Sequence, residues 1–163
     1  MSNRKKTILL IVIATIFRLV IASVIELGND EVYYRMYAQY IEWNYFDHPP
    51  LVGWLIRFTT ANLFLDNELF IRLGAILSAA ATTWFLFLSG KKLNNEYTGF
   101  LAALIYTATI YGSIIAGTFI LPDSPQMVCW SGGLYLLIGI TKNQFINPTK
   151  RNNVLLFGFV AGL

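Results

Sequence analysis

The sequence is poor in cysteine, histidine and charge. It holds one cysteine and one histidine, and only 13% of its 163 residues are charged, against 56% that are hydrophobic. The single cysteine, Cys129, excludes an internal disulfide and any metal cluster built from cysteine ligands. A soluble domain of this size does not need so large an apolar fraction, so the composition predicts that most of the chain lies in lipid.

The excess of basic residues does not indicate nucleic acid binding. The formal net charge is +3, and the basic side chains flank apolar runs: Arg4, Lys5 and Lys6, then Lys91 and Lys92, then Lys142, Lys150 and Arg151. Basic residues collect on the cytoplasmic side of membrane proteins. The pattern therefore predicts a cytoplasmic N terminus, and it places residues 26–70 and the turn at 121–125 on the outer side, where most of the acids lie.

Long apolar runs predict an all-α, polytopic membrane protein. The predicted spans cover residues 7–25, 71–89, 100–121, 127–140 and 154–163. The first run lacks a small-x-small cleavage site, so we expect it to remain as an anchor helix. The last run is still apolar at Leu163, and we expect the natural protein to continue beyond it as one transmembrane domain of which residues 1–163 are the N-terminal part.

The outer loop predicts two helices that lie on the membrane, at about 30–43 and 50–64. In the first, apolar residues recur at helical spacing opposite polar ones; the apolar set is Tyr33, Met36, Tyr37, Tyr40 and Ile41. Such one-sided helices favour the membrane interface. The second follows Pro49 and Pro50, is too short to span comfortably and carries Arg57 near its middle.

Asp30 and Glu31 stand where the first span ends and the first surface helix begins. They could serve only as favourable charges at a helix start, or one of them could be a general base. On a helical wheel Asp30 falls beside Tyr33 and Tyr37, whereas Glu31 falls on the polar side. The wheel favours Asp30 as the base and predicts that Glu31 faces water.

The segment Asp47-His48-Pro49-Pro50 contains the one histidine of the chain. Two prolines fix the backbone and start a helix, so the preceding pair is presented rigidly. The segment is either a stiff turn with a solvated histidine or a binding site. In the second case His48 donates to a phosphate oxygen, and Asp47 either orients it or binds a divalent ion.

Three further residues complete the set of candidates. Asp123 lies between Pro122 and Pro125, where it is either a turn residue or an acid on the same membrane face as Asp30. Arg18 lies within the first span, where it reaches the interface or pairs with a carboxylate or a lipid phosphate. Arg72 begins the next span, and the same alternatives apply to it as to Arg18.

These motifs together resemble one family of membrane enzymes. An arginine in the first span, Asp30-Glu31 at its exit, the segment Asp47 to Leu51 and the later Pro122-Asp123-Ser124-Pro125 resemble bacterial glycosyltransferases of the dolichyl-phosphate-mannose protein mannosyltransferase superfamily, which includes the aminoarabinose transferases. The resemblance covers nearly the whole chain. It implies a C-type glycosyltransferase fold with its site at the outer face of the bacterial inner membrane.

The resemblance also implies a reaction and roles for residues. A sugar would pass from a polyprenyl phosphate donor to a protein, lipid or glycan acceptor in the cell envelope. The catalytic set would be Asp30, Glu31 and Asp123, with Asp30 activating the acceptor hydroxyl. The donor phosphate would be bound by His48, Arg18 and Arg72. In the aminoarabinose branch the pair before the prolines is Glu-Lys, whose Glu can bind a metal ion, whereas this chain has Asp47-His48. A divalent ion at Asp47 is therefore the one cofactor considered.

Two other classes fit part of the pattern. A transporter would also show outward acids and intramembrane arginines, but it is expected to carry ionisable groups near the bilayer midplane or repeated halves. A non-catalytic membrane subunit would keep the fold without the reaction. No nucleotide-binding or glycine-rich phosphate loop occurs in the sequence, which agrees with a lipid-linked donor.

Overall fold

The computed structural model of the chain describes residues 1–142 and 148–162. Within them the chain is all-helical, without strands, as the sequence predicted; the helices are Asn3–Val24 (α1), Asn29–Gln39 (α2), Leu51–Thr59 (α3), Glu68–Leu93 (α4), Glu96–Ala108 (α5), Asp123–Lys142 (α6) and Pro148–Ala161 (α7). Leu163, the end of the last predicted span, and the side chains of Lys150 and Arg151 lie outside the described residues.

Among the described residues, two helices, α1 and α4, are long and apolar enough to cross a membrane. The side chain of Ser2 accepts from the backbone N–H of Lys5 and caps α1, and Asn67 caps α4 in the same way. α1 exposes most of its apolar surface, whereas half of the apolar stretch of α4 is buried. α4 contacts α1, α3, α5 and α6, and is therefore the central helix of the bundle.

Glycines let α4 and α5 approach closely. A Cβ added to Gly90 would lie 2.7 Å from the Cα of Gly99 and 2.9 Å from its backbone nitrogen. Backbone atoms cannot rotate away as a side chain can. Small residues at such crossings are typical of membrane helices.

We expect Gly90→Ala to separate α4 from α5 and to lower the free energy of unfolding by about 1–3 kcal/mol, as overpacking does. Thermal unfolding of the detergent-solubilised full-length protein measures the loss. Gly158→Ala is the matched control, because a Cβ at Gly158 meets nothing within 4 Å. Equal melting temperatures for the two variants would contradict the close contact.

The predicted run 100–121 is not one continuous helix, which corrects the sequence analysis. α5 ends at Ala108, and a short π-helical turn follows at Tyr111–Ile115. Gly112 and Gly117 weaken helix propensity there, although the run stays apolar throughout. The Arg18 side chain donates to the backbone oxygens of Gly112 and Ser113, at 3.1 and 3.2 Å. Arg18 therefore satisfies backbone groups that the break leaves free.

α2 and α3 pack against each other and, through α3, against α4. Their shared core consists of Tyr34, Tyr37, Ala38, Val52, Ile56, Ile71, Ala75 and Ile120. Gly53 permits the contact, because a Cβ there would lie 2.6 Å from the Cβ of Tyr37. Both helices occur where the sequence predicted them but end earlier, at Gln39 and Thr59. After α3 the backbone turns sharply, since three successive residues take positive φ: Ala61, Asn62 and Leu63.

The buried face of α2 differs from the one drawn on the helical wheel. Glu31, Tyr34, Tyr37 and Ala38 are buried, whereas Tyr33, Met36 and Tyr40 remain exposed. The apolar stripe predicted for the membrane therefore lies outside the protein core except at Tyr37. On the face predicted to be wet, Glu31 packs against the bundle instead, whereas Gln39 remains exposed.

Candidate active site

A cavity of about 400 Å³ opens between α2, the segment that precedes α3, and the start of α6. Three of the predicted site residues line it: Asp30, His48 and Asp123. Asp30 stands in the first turn of α2, and Asp123 is the first residue of α6. Negative charges are favourable at both positions because helix N-termini carry partial positive charge. The structure thus brings together residues that lie up to 93 positions apart in the sequence.

Tyr34 forms part of the cavity wall, and the pKa of its hydroxyl reflects the negative charge around the cavity. The ring packs edge-on against the His48 ring with 5.5 Å between centroids. Burial raises the pKa of the Tyr34 hydroxyl, and the negative charges of Asp30, Asp47 and Asp123 raise it further. The hydroxyl therefore stays protonated and can act as a hydrogen-bond donor inside the cavity. The sequence analysis missed Tyr34, although its position one helical turn after Asp30 could have identified it.

Asp47 is held by tyrosines and is not among the residues that line the cavity. Tyr33 donates to both carboxylate oxygens at 3.0 Å, and Tyr37 donates to Oδ1. These bonds fix the segment that carries His48. Within residues 1–142 and 148–162, no group of three or more His, Cys, Asp or Glu side chains could hold a metal ion, so a divalent ion at Asp47 stays a prediction.

The hydrogen bonds from the tyrosines make the contribution of Asp47 to stability depend on pH. The hydroxyl of Tyr37, with that of Tyr33, holds the pKa of Asp47 below its usual value. A carboxyl whose pKa is lowered by folding contributes stability above its unfolded pKa, about 3.9, and that stability is lost as the pH falls through the folded value. We expect Tyr37→Phe to raise the pKa of Asp47 towards 3.9. Carbon-13 NMR of labelled aspartate carboxyls measures it, with Asp47→Asn for assignment.

Tyr40→Phe is the control for that titration. Tyr40 lies at the end of the same helix, its side chain is exposed, and its hydroxyl makes no hydrogen bond within the described part of the chain. If the pKa of Asp47 is the same in Tyr37→Phe and in the wild type, the tyrosine hydrogen bonds do not hold the carboxylate.

Glu31 does not face water, contrary to the prediction from the helical wheel. Glu31 as a whole residue is 3% exposed. Its carboxylate accepts two bonds from Arg72, at 2.8 and 2.6 Å, and one each from the backbone N–H groups of Gly28 and Ile120. The wheel failed because the partner of Glu31 lies 41 residues away, on α4.

Arg72 and Arg18 lie outside the cavity, although the sequence analysis assigned both to a donor phosphate. The Arg72 side chain is fully buried. It uses one N–H at Nε and two at each terminal nitrogen to bind Glu31 and the backbone oxygens of Ala22, Ile25 and Glu26. Arg18 is 1% exposed. Of the three residues predicted to bind phosphate, His48 alone lines this cavity.

A second cavity of about 410 Å³ lies on the other side of Asp30. It is lined by Ile25, Glu26, Gly28, Asn29, Asp30, Glu31, Phe119 and Leu121. Asp30 and Leu121 line both cavities. Asp30 is an exposed residue that borders both cavities, which the sequence did not indicate.

Comparison with known proteins identifies a family. A sequence-family model described as dolichyl-phosphate-mannose-protein mannosyltransferase matches residues 47–163, which is more than half of the chain. The matched part begins at Asp47 and includes His48 and Asp123, whereas α1 and α2 precede it. No curated protein and no solved structure matches the chain.

Proposed function

The chain belongs to the dolichyl-phosphate-mannose-protein mannosyltransferase family, a family of membrane glycosyltransferases, and on that premise we propose that its cavity transfers a sugar from a polyprenyl phosphate to a hydroxyl of a protein, lipid or glycan. The observation that carries the proposal is that Asp30, His48 and Asp123 line one cavity. In this proposal Asp30 is the base, His48 binds the phosphate, and Asp123 is a second acid that binds a substrate.

The proposed step is an inverting transfer. The acceptor oxygen attacks the anomeric carbon, its proton passes to the Asp30 carboxylate, and the bond from that carbon to the phosphate oxygen breaks. The polyprenyl phosphate leaves with the electron pair. A positioned base and a donor at the leaving oxygen are the two aids that such a reaction needs. His48 serves the second purpose as a donor to the phosphate, and Asp123 binds hydroxyl groups of the sugar or acceptor.

The position of Asp30 between two cavities supports a reaction with two substrates. One cavity offers His48 and Asp123, and the other offers apolar side chains such as Ile25 and Phe119 beside the end of α1. A base on the shared wall can reach an acceptor oxygen on one side and a sugar on the other. General base catalysis requires hydrogen-bond reach to the proton that is removed.

Charge supports an orientation across the inner membrane of a bacterium. At one end of the bundle Lys6 lies over the ring of Phe100, Lys91 pairs with Glu96, and Lys142 donates to the backbone oxygen of Leu93. Asp30, Asp47 and Asp123 lie together elsewhere, around Tyr34. By the positive-inside rule the basic end is cytoplasmic, so the cavity faces outward.

Exposed aromatic and apolar residues support a surface location for α2 and α3. Tyr33, Met36 and Tyr40 on α2 and Phe58 on α3 are exposed, and amphipathic helices with such residues bind at headgroup depth. In this topology α1, α4, α5 with the following turn, and α6 cross the membrane. Membrane lipids are then direct partners of the chain.

The proposal is tested with membranes that contain the full-length protein. Radiolabelled polyprenyl phosphate sugars are added, and label in protein, lipid and glycan fractions is compared with membranes that lack the protein. We expect label in one fraction. A parallel sample with a chelator tests the predicted divalent ion. Absence of label with every donor would contradict the proposal and favour a transporter or a non-catalytic subunit.

A further inference from the structure

The Glu31 carboxylate has no free acceptor position. An ionised carboxylate offers about four lone pairs. Oε1 accepts from Nε of Arg72 and from the backbone N–H of Ile120, and Oε2 accepts from a terminal nitrogen of Arg72 and from the backbone N–H of Gly28. A group saturated in this way cannot accept the proton of an acceptor hydroxyl. Glu31 therefore differs in function from its neighbour Asp30, although both were assigned to the catalytic set.

Glu31 and Arg72 connect four segments of the fold. Arg72 lies on α4 and binds the backbone oxygens of Ala22, Ile25 and Glu26 at the end of α1. Glu31 binds the start of α2 through its bond from Gly28 and the chain before α6 through its bond from Ile120. These are buried contacts with full hydrogen bonding, which is the arrangement that holds a charged pair in one geometry.

Both acids of the proposed site adjoin this pair. Asp30 directly precedes Glu31, and Asp123 follows Ile120 by three residues. The Ser124 hydroxyl continues the connection, because it donates to the backbone oxygen of Phe119. Movement of the Glu31 carboxylate relative to Ile120 would therefore change the separation of Asp30 and Asp123 across the cavity.

We propose that Glu31 and Arg72 are positioning residues that fix Asp123 relative to Asp30, so that the base and the second acid meet one sugar. The proposal rests on the proposed function for its kinetic consequence, but its geometric part is independent of it. A displacement of about 1 Å at a reacting centre lowers rates by about 10²-fold, so a small relaxation of this pair has a measurable effect.

The kinetic test compares Glu31→Gln with the wild type in the full-length enzyme. We expect kcat to fall about 10²-fold at temperatures well below unfolding, with KM changed much less. The acidic limb of the pH–rate profile is expected to persist, because the base at Asp30 is still present. Loss of that limb in Glu31→Gln would identify Glu31 as the base and overturn the proposal, and so would an unchanged kcat.

The geometric test does not require activity. Spin labels at Val32→Cys on α2 and Gln126→Cys on α6, both exposed positions, report the separation of the two segments by electron paramagnetic resonance, with Cys129 replaced. Arg72→Lys keeps the charge but removes the two-pronged donor, and it serves where Glu31→Gln does not fold. We expect a broader distance distribution in both variants. An unchanged distribution overturns the proposal.

The two tests separate the proposals. A wild-type enzyme that transfers no sugar contradicts the proposed function, while the distance measurement still decides whether Glu31 and Arg72 fix the acids. A wild-type enzyme that transfers sugar, together with variants of normal rate and distance, contradicts the positioning role alone.

Discussion

Asp30→Asn is expected to lower sugar transfer by about 10² to 10⁴-fold, the usual effect of removing a positioned base. Asparagine is nearly isosteric with aspartate and loses only the charge interaction with the start of α2, about 0.3–1 kcal/mol, so expression and membrane insertion should stay near normal. An amide cannot take the proton of the acceptor hydroxyl. Initial rates with the full-length enzyme and a labelled polyprenyl phosphate sugar measure the loss.

The control for this variant is Glu68→Gln. Glu68 is an exposed carboxylate in the first turn of α4, so the same change of acid to amide is made at the start of a helix on the same side of the bundle. It should leave transfer within a few-fold of the wild type. The helical wheel would make Glu31→Gln the control, but this variant is unsuitable because Glu31 is buried against Arg72. Full activity in Asp30→Asn would remove Asp30 from the mechanism.

Arg72→Leu is expected to lower the free energy of unfolding by about 3–5 kcal/mol, because it leaves the Glu31 carboxylate buried without its partner. It also removes the donors to three backbone oxygens at the end of α1. Denaturant or thermal unfolding of the detergent-solubilised protein measures the change. The magnitude is large because the side chain of Arg72 is 0% exposed and that of Glu31 is 4% exposed.

Two comparisons make that measurement specific. Arg35→Leu breaks an ion pair with Asp66 whose side chains are 30% and 31% exposed, and exposed pairs contribute about 0–1 kcal/mol. The double variant Glu31→Leu with Arg72→Leu removes both charges, so it should be less destabilised than the sum of the two single variants. If Arg72→Leu lowers the free energy of unfolding no more than Arg35→Leu does, the buried pair does not stabilise the fold.

The helices were predictable from the sequence because they follow local chemistry. Apolar length identified α1 and α4, and the prolines at 49 and 50 identified the start of α3. Hydropathy could not show that the run 100–121 breaks after Ala108, because isoleucine, glycine and threonine are all compatible with an apolar run. The break depends on Arg18, which supplies donors from another helix.

The site was only partly predictable. The sequence indicated that Asp30, His48 and Asp123 would meet, since topology put them on one side, and they line one cavity. It misplaced Glu31 because a helical wheel ranks faces by local polarity and contains no information about α4. An arginine within a span pairs with a carboxylate or with backbone oxygens, so Arg72 was a signal that could have directed attention to a nearby acid such as Glu31.

The shortness of α5 affects how the bilayer meets the protein. Its 13 residues rise about 20 Å, against a hydrocarbon thickness of about 30 Å. In the proposed topology the π-helical turn at Tyr111–Ile115 must then complete the crossing. Its backbone oxygens would meet lipid without the bonds from Arg18. The outer part of this crossing therefore depends on an arginine that another span supplies.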